Sequence, residues 1–153
     1  MAINDNSMLV RLVTPTGAVL EEQAKSVSLS TAMGEIEVLR GHVPIVVLLV
    51  PGEMRLRAET GAERAFAAGE GFARIDQSSV TIFSDMAQDV EQIELEQEQE
   101  AKSRAEKAVA AAANLSDDER DAAGLVLRES LVRIQLALRR KDGHRPSGPA
   151  PRA

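Results

Sequence analysis

The sequence predicts an all-β domain of the sandwich or barrel type, followed by an antiparallel α-helical hairpin. From Met8 to Phe83, short apolar runs alternate with turn residues roughly every 8 to 12 positions, which is the spacing of a sandwich or barrel. From residue 89 to residue 141, Gly124 is the only Gly or Pro, and strong helix formers dominate. A capping box at residues 116–119 divides that segment into two helices.

Turn residues divide the β domain into short strands. Gly61 and residues 69–71 and 76–79 mark three hairpin turns. We place a loop around Gly34. The apolar run at residues 45–50 ends at a Pro-Gly pair, which predicts a strand that is buried on both faces.

The helical segment carries signals for its start, its turn and its end. Asp89, with a Gln three residues later, indicates a helix start. In the capping box, the side chains of Ser116 and Glu119 satisfy each other's orphan backbone donors, so the turn falls just before Ser116. Gly143 follows a basic run at residues 139–141, and both features favour a helix end.

The two predicted helices have different apolar faces. The first, from Val90 to about residue 113, is rich in Glu and Gln and then in Ala, so it offers only a thin contact strip. Contacts between Ala and Leu bury little area, and at about 25 cal/mol per Å² they should hold less firmly than the β core. We therefore expect a detachable hairpin. The second helix carries a stripe of large apolar residues at helical spacing, Leu127, Leu131, Ile134 and Leu138, which is broadened by Leu125, Val132 and Leu136.

These boundaries predict three parts of the chain. A β-sandwich domain covers residues 1–87, and a two-helix hairpin covers residues 88–142. Residues 143–153 contain three Pro and have no periodicity, so we expect a disordered tail.

The composition excludes several classes of protein. Aromatic residues make up 2% of the chain and the formal net charge is −6, which argues against a nucleic-acid-binding surface. There is no Cys, and therefore neither a disulfide framework nor a thiolate metal site. The longest apolar run, at residues 43–50, is far shorter than the ~20 residues that span a bilayer, and the start lacks a secretory signal. We expect a soluble protein that reaches a membrane only through partners.

Charge is distributed unevenly along the chain. Residues 1–88 carry 7 basic and 11 acidic side chains, residues 89–123 carry 4 and 11, and residues 124–153 carry 7 and 2. The asymmetry is more informative than the total. One acidic run extends over nearly three helical turns, so its carboxylates do not converge on a metal and form a solvated face. Its members are Glu91, Glu94, Glu96, Glu98 and Glu100.

No residue pattern predicts catalysis, a metal site or a cofactor. His42 is the only His in the part that is expected to fold, which excludes a site with several His ligands. No Ser or Cys nucleophile motif and no phosphate-binding loop accompanies it. The sequence therefore predicts a non-catalytic protein.

The most distinctive segment is GEIEVLRGHVPI at residues 34–45. It is similar to the pattern G-E-x-G-I-x-P-G-H-x-P-L of the epsilon subunit of bacterial and chloroplast ATP synthases, and the chain resembles that family over roughly residues 8 to 141. Glu37 and Arg40 stand where the family has Gly and Pro, which indicates a divergent branch. Four further segments match: PGEMRL at 51–56, FAAGEGF at 66–72, VTIFSD at 80–85 and EAKSRAE at 100–106.

The resemblance implies an epsilon-type fold and a role in the central stalk of a proton-translocating ATP synthase. There the β domain would couple the gamma shaft to the membrane c-ring. The resemblance places Glu35, Ile36 and Arg40 at the rotor ring. An ordinary solvated turn carboxylate is the alternative for Glu35.

A neighbouring set of residues is assigned to the shaft. The resemblance places His42, Val43 and Pro44 against gamma. The alternative for His42 is a side chain that caps its own loop.

The resemblance also implies regulation by the helices. The second helix would extend into the alpha/beta catalytic head and oppose ATP hydrolysis, whereas a hairpin folded on the sandwich would leave rotation free. The alternative is a solvated basic helix face. The implied contacts to the head are Arg128, Arg133, Arg139 and Arg140.

The family's nucleotide-sensing motif, I-D-x-x-R-A, is degenerate in this chain. It aligns with Ile93, Glu94 and Gln97, so a Gln replaces the Arg that would meet a phosphate. The neighbouring carboxylates would repel a triphosphate. We expect no ATP binding, and no other cofactor.

These expectations place the chain at the cytoplasmic face of the inner membrane, as a peripheral subunit. A rival from another class is a stand-alone interaction module whose helical hairpin forms a homodimer. An enzyme is the weakest alternative, because no nucleophile, metal ligands or phosphate loop are present.

Overall fold

The computed structural model describes residues 6–143, apart from the side chains of residues 113, 142 and 143. Within this range, nine strands precede two α-helices. The strands are β1 (Met8–Thr14), β2 (Gly17–Thr31), β3 (Gly34–Leu39), β4 (Ile45–Leu49), β5 (Gly52–Ala58), β6 (Glu63–Ala68), β7 (Gly71–Ile75), β8 (Ser79–Ser84) and β9 (Ala87–Asp89). The helices are α1 (Leu95–Ala110) and α2 (Asp117–Gly143), with short 3-10 segments at Val90–Gln92 and Ala111–Asn114.

The strands form a sandwich that is closed by the long strand β2. This strand of 15 residues pairs first with β1 and then with β5 and β3. The hydrogen-bonded order is β1-β8-β7-β4-β2-β5-β6-β9, with β3 also on β2. Since β1 pairs in parallel with β8 and antiparallel with β2, the sheet closes on itself. The predicted sandwich followed by a helical hairpin is confirmed.

The sandwich core is almost entirely aliphatic. Phe66 is 1% exposed and is the largest fully buried side chain among the described residues. Close packing of branched aliphatic side chains replaces the aromatic contacts that the composition does not provide. Its other large members include Leu12, Leu29, Met54, Leu56, Ile75 and Ile82.

Two strands differ from the predictions. The segment after Gly34 is strand β3 rather than a loop, because Ile36 and Val38 alternate with charged residues and face the core. Strand β4 is not buried on both faces, since Val46 and Leu48 are 62% and 72% exposed. Only Leu49 of this strand is buried, so β4 leaves apolar side chains on the outer surface.

The connection between the helices follows the predicted capping box. The Ser116 amide donates to Glu119 Oε2 at 3.0 Å, and the Glu119 amide donates to Ser116 Oγ at 3.4 Å. Hydrogen bonds from the Ser116 backbone and hydroxyl lower the pKa of Glu119. Asp89 accepts from the Glu91 amide, but it begins only a 3-10 turn, and α1 starts at Leu95.

The hairpin lies against the sandwich along a small apolar contact. We call this contact the hairpin seam: Ala67, Val90, Ile93, Leu136 and Ala137. The predicted stripe on α2 was only partly right, because Leu131 and Leu138 are about two-fifths exposed. Helix α2 contacts both α1 and the sandwich, and it turns Leu136, which the prediction included, and Ala137 towards the sandwich.

The boundary between the two domains lies slightly beyond residue 87. Strand β9 pairs with β6 through Asp89, so the sandwich includes this residue. Helix α2 extends to Gly143, and the rest of the predicted tail lies outside the described residues. Neither described helix is both long enough and apolar enough to cross a membrane.

Candidate partner-binding surfaces

An apolar row crosses the outer surface of four neighbouring strands. The pairing places Leu48 on β4 beside Phe72 on β7, Phe72 beside Phe83 on β8, and Phe83 beside Val13 on β1. We call these four residues the apolar row. The rings of Phe72 and Phe83 stack with their centroids 4.9 Å apart. A shallow depression of about 380 Å³ is lined by Phe72, Phe83 and Val13.

The apolar row lies on the solvent side of the sheet. Leu48, Phe72 and Phe83 are 72%, 43% and 38% exposed, and Val46 on the same strand is also exposed. The adjacent row of paired residues begins at Val46 and is otherwise polar, because Arg74, Thr81 and Arg11 follow it. Contiguous exposed apolar side chains of this kind mark protein contacts.

The three residues assigned to the shaft lie just before β4, the strand that carries Leu48 of the apolar row. Val43 is 68% exposed, and Pro44 is also exposed just before β4. His42 is half-buried, and its Nδ1 donates to the Val43 carbonyl at 2.7 Å. The ring therefore caps its own loop, while the following two residues present apolar surface.

The three residues assigned to the rotor ring do not form one patch. Glu35 and Arg40 lie at opposite ends of β3, roughly 16 Å apart at about 3.3 Å per residue. Glu35 pairs with Arg55, whose pKa is raised by this hydrogen bond and charge. Arg40 donates to the Ser7 carbonyl at 3.0 Å. Ile36 packs against the sandwich core, so it offers little surface to another protein.

One residue at the Glu35 end was missed from the sequence. Met33 lies in the turn between β2 and β3 and is 99% exposed. The turn is held by Thr31, whose hydroxyl donates to the Gly34 carbonyl at 2.6 Å and accepts from the Met33 amide. A lone large apolar residue beside a Gly at a turn was the available signal.

All four basic residues assigned to the catalytic head contact this chain itself. Arg139 pairs with Glu53 of β5 at 2.7 Å. Arg140 donates to the carbonyls of Val90 and Ile93. The other two pairs are Arg128 with Glu70 at 3.8 Å and Arg133 with Glu98 at 2.8 Å.

A cluster of carboxyl groups lies where α2 meets the β6–β7 turn. A methyl group added to Gly69 would lie 2.8 Å from Glu129 Oε1 and would clash with the Asp85 carboxylate. The two carboxyl groups therefore converge on one glycine. Glu129 Oε1 is buried and has no hydrogen-bond partner among the described residues. No local sequence pattern indicates this pair, because Asp85 and Glu129 are far apart in the chain.

The degenerate nucleotide motif offers no free cation. Ile93 is buried in the hairpin seam, whereas Glu94 and Gln97 are exposed. Arg133 is mostly buried and is neutralised by Glu98. Among the described residues, no group of His, Cys, Asp and Glu is arranged to hold a metal ion.

Comparison with known proteins gives consistent matches. The profile of the family described as ATP synthase, Delta/Epsilon chain, beta-sandwich domain matches residues 7–90. An ATP synthase epsilon chain of Latilactobacillus sakei is 30% identical over 144 residues, covering 93% of this chain and 95% of the relative. A sodium-ion-specific ATP synthase epsilon chain of Propionigenium modestum is 33% identical, covering 84% of this chain and 91% of the relative.

A solved structure supports the fold. A chain in the OSCP/F1/c-ring structure of the Euglena gracilis mitochondrial ATP synthase superposes with a TM-score of 0.72 at 23% identity. The match covers 87% of this chain and 82% of that chain. At this identity, the similarity concerns the sandwich and hairpin fold alone.

Proposed function

This chain belongs to the ATP synthase epsilon chain family, and we propose that it couples the gamma shaft to the membrane c-ring and regulates ATP hydrolysis. It is a non-catalytic subunit of the central stalk. Its host complex would be proton-translocating, with this subunit peripheral to the membrane on the cytoplasmic face. The rival of a stand-alone homodimer module is not favoured by these relatives.

The apolar row is the observation that carries the coupling proposal. Three of its members expose large apolar side chains, although the same sheet has a complete core on its other side. Stacked Phe72 and Phe83 form a rigid aromatic centre, the kind of residue that dominates binding energy at protein interfaces. We assign this surface, with Val43 and Pro44, to gamma.

The turn between β2 and β3 is our candidate for the rotor-ring contact. Met33 supplies an exposed apolar tip, and Glu35 supplies a charge on the adjoining strand. Arg40 lies at the other end of β3, so we exclude it from this contact. Ile36 holds β3 on the core and acts only as support.

Substitution of Leu48 tests the shaft-binding surface. Leu48→Asp places a charge in the centre of an apolar contact, where a desolvated unpaired charge costs several kcal/mol. We expect capture of gamma by the tagged chain to fall at least tenfold, while the thermal unfolding midpoint of the chain stays unchanged. Val19→Asp changes an exposed apolar residue outside the row and is the matched control. Equal capture of gamma by both variants would exclude the row as the contact.

The regulatory part of the proposal rests on the hairpin. The basic residues of α2 are engaged within the chain, so binding to the head requires the hairpin to leave the sandwich. Such a switch needs docked and extended states whose free energies differ by only a few kcal/mol. The small apolar area of the hairpin seam is compatible with a difference of this size. In the docked state rotation is free; in the extended state α2 enters the head and opposes hydrolysis.

Truncation after Asp89 tests this regulation. The truncated chain keeps β9 and the apolar row, so we expect it to join the complex normally. ATP hydrolysis by the reconstituted complex should rise severalfold relative to the full-length subunit. Unchanged hydrolysis would contradict regulation by the hairpin and leave the coupling proposal intact.

A further inference from the structure

The carboxyl cluster lies directly between the hairpin and the sandwich. Glu129 belongs to α2, Asp85 follows β8, and both converge on Gly69 at the turn between β6 and β7. The lack of a Gly69 side chain allows this close approach. Movement of the hairpin away from the sandwich would return Glu129 to water and separate it from Asp85.

The charges around Glu129 are mostly negative. From the sandwich it faces Asp85 and Glu70. From its own helix it faces Arg133, the favourable charge, but Arg133 also pairs with Glu98 of α1 at 2.8 Å. Arg128 of α2 lies 3.8 Å from Glu70. The docked hairpin therefore brings an anion of α2 towards two anions of the sandwich with only partial compensation.

The docked position favours the protonated form of Glu129. Burial and the nearby charges of Asp85 and Glu70 raise the pKa of Glu129 from 4.5 to about 7, against the opposing effect of Arg133. An undocked Glu129 is solvated and ionises near its ordinary value. At a pH between these two pKa values, docking of the hairpin is accompanied by uptake of a proton. The resulting stabilisation of the docked state is complete below about pH 4.5 and is lost as the pH rises through about 7.

We propose that Glu129 and Asp85 form a proton-operated latch, in which a protonated carboxyl pair holds the hairpin on the sandwich and an ionised pair releases it. The latch deepens the regulatory role proposed above and rests on it for its effect on hydrolysis. Acid conditions favour the docked hairpin and free rotation. Rising pH favours release and inhibition of hydrolysis.

The docking of the hairpin can be measured on the full-length chain alone. The protein has no Cys, so Thr60→Cys and Gln135→Cys, both at exposed positions, take one label each on the sandwich and on α2. Distance measurements between these labels report the docked fraction. We expect the ratio of docked to undocked chains to fall about tenfold between pH 5.5 and pH 8, less than the full pKa difference allows because Glu129 is only partly buried.

Variants isolate the latch from the rest of the interface. Glu129→Gln keeps the shape and a hydrogen-bond donor but does not titrate, so its hairpin should stay docked across the range. Asp85→Asn should move the midpoint of the transition to lower pH. Glu53→Gln removes the ion pair with Arg139 instead, and it should lower the ratio of docked to undocked chains by the same factor at every pH.

The outcomes separate the latch from the proposed function. A docked fraction that does not change with pH in the parent chain, or a full pH response in Glu129→Gln, would refute the latch. Neither result bears on regulation, which the truncation assay measures in the assembled complex. If the latch holds but truncation leaves hydrolysis unchanged, the proton switch is real and its proposed use is wrong.

Discussion

The apolar row and the hairpin seam are two contact surfaces of opposite character on one small domain. The row is rigid, aromatic and exposed, and no described residue of this chain covers it. The seam is already buried between α2 and the sandwich, but it has only five buried side chains, and the same interface carries ion pairs and a carboxyl cluster. A permanent contact and a reversible contact would need these different properties.

The difference fits the roles that we propose for the two surfaces. A contact that transmits torque has no reason to open, so it can use large apolar side chains without charges that require solvation. A contact that opens exposes both of its faces to water, so both faces need polar groups that can be solvated. Helix α2 meets this requirement because its basic residues are solvated when free and paired when docked.

Replacement of two Phe residues gives the largest expected contrast. Phe66→Ala removes the largest fully buried side chain, and we expect the free energy of unfolding to fall by about 3 to 5 kcal/mol. Phe72 lies on the outer face of the same sandwich, so Phe72→Ala should lower the free energy of unfolding of the isolated chain by less than about 1 kcal/mol. Denaturant unfolding of both variants measures the difference.

In a binding assay, the order of the two effects should be reversed. Phe72→Ala is expected to weaken gamma capture, since an aromatic residue at the centre of an interface is a typical hot spot. Similar losses of stability for the two variants would show that Phe72 supports the fold. The row would then be part of the core and not a contact surface.

Strand β4 shows how far the sequence could predict this surface. Its apolar run predicted a strand correctly, but a side chain that is covered by the same chain and one reserved for a partner have the same hydrophobicity. Only the pairing of Leu48, Phe72 and Phe83 in one row distinguishes them. Register depends on all strands together, so it could not be taken from any one segment.

The hairpin shows a second limit of sequence analysis. Capping chemistry is local, so the Ser116–Glu119 box predicted the position of the turn correctly. The face of α2 that meets the sandwich depends on long-range packing, and the stripe with Leu131 and Leu138 was therefore only partly right. The Asp85–Glu129 pair exists only because of that packing.

A smaller effect should follow from a substitution in the hairpin seam. Leu136→Ala removes the largest buried side chain that α2 places against the sandwich, and we expect docking to weaken by about 2 kcal/mol. Leu138→Ala, at a position 43% exposed, is the control and should cost less than about 0.5 kcal/mol. Hydrogen exchange of α2 amides reports local opening while the sandwich amides stay protected.

The Leu136 variant also sharpens the contrast between the two contacts. Opening of α2 without loss of protection in β1 or β8 would confirm that the seam separates from a stable sandwich. Loss of protection in the entire chain would mean that hairpin and sandwich unfold as one unit. In that case, the seam could not act as a reversible contact.

The smallest expected effect is the response of the seam to ATP. A phosphate would need a free cation near Gln97, but Arg133 is paired with Glu98, and Glu94, Glu96 and Glu98 flank Gln97 in the sequence. Like charges at short range disfavour binding by roughly 1 kcal/mol each even in water. Calorimetric titration of the isolated chain with millimolar ATP should therefore give no saturable heat at neutral pH. Saturable binding would make ATP, in addition to protons, a ligand that acts on the hairpin. The seam would then differ from the apolar row in responding to two ligands rather than to protons alone.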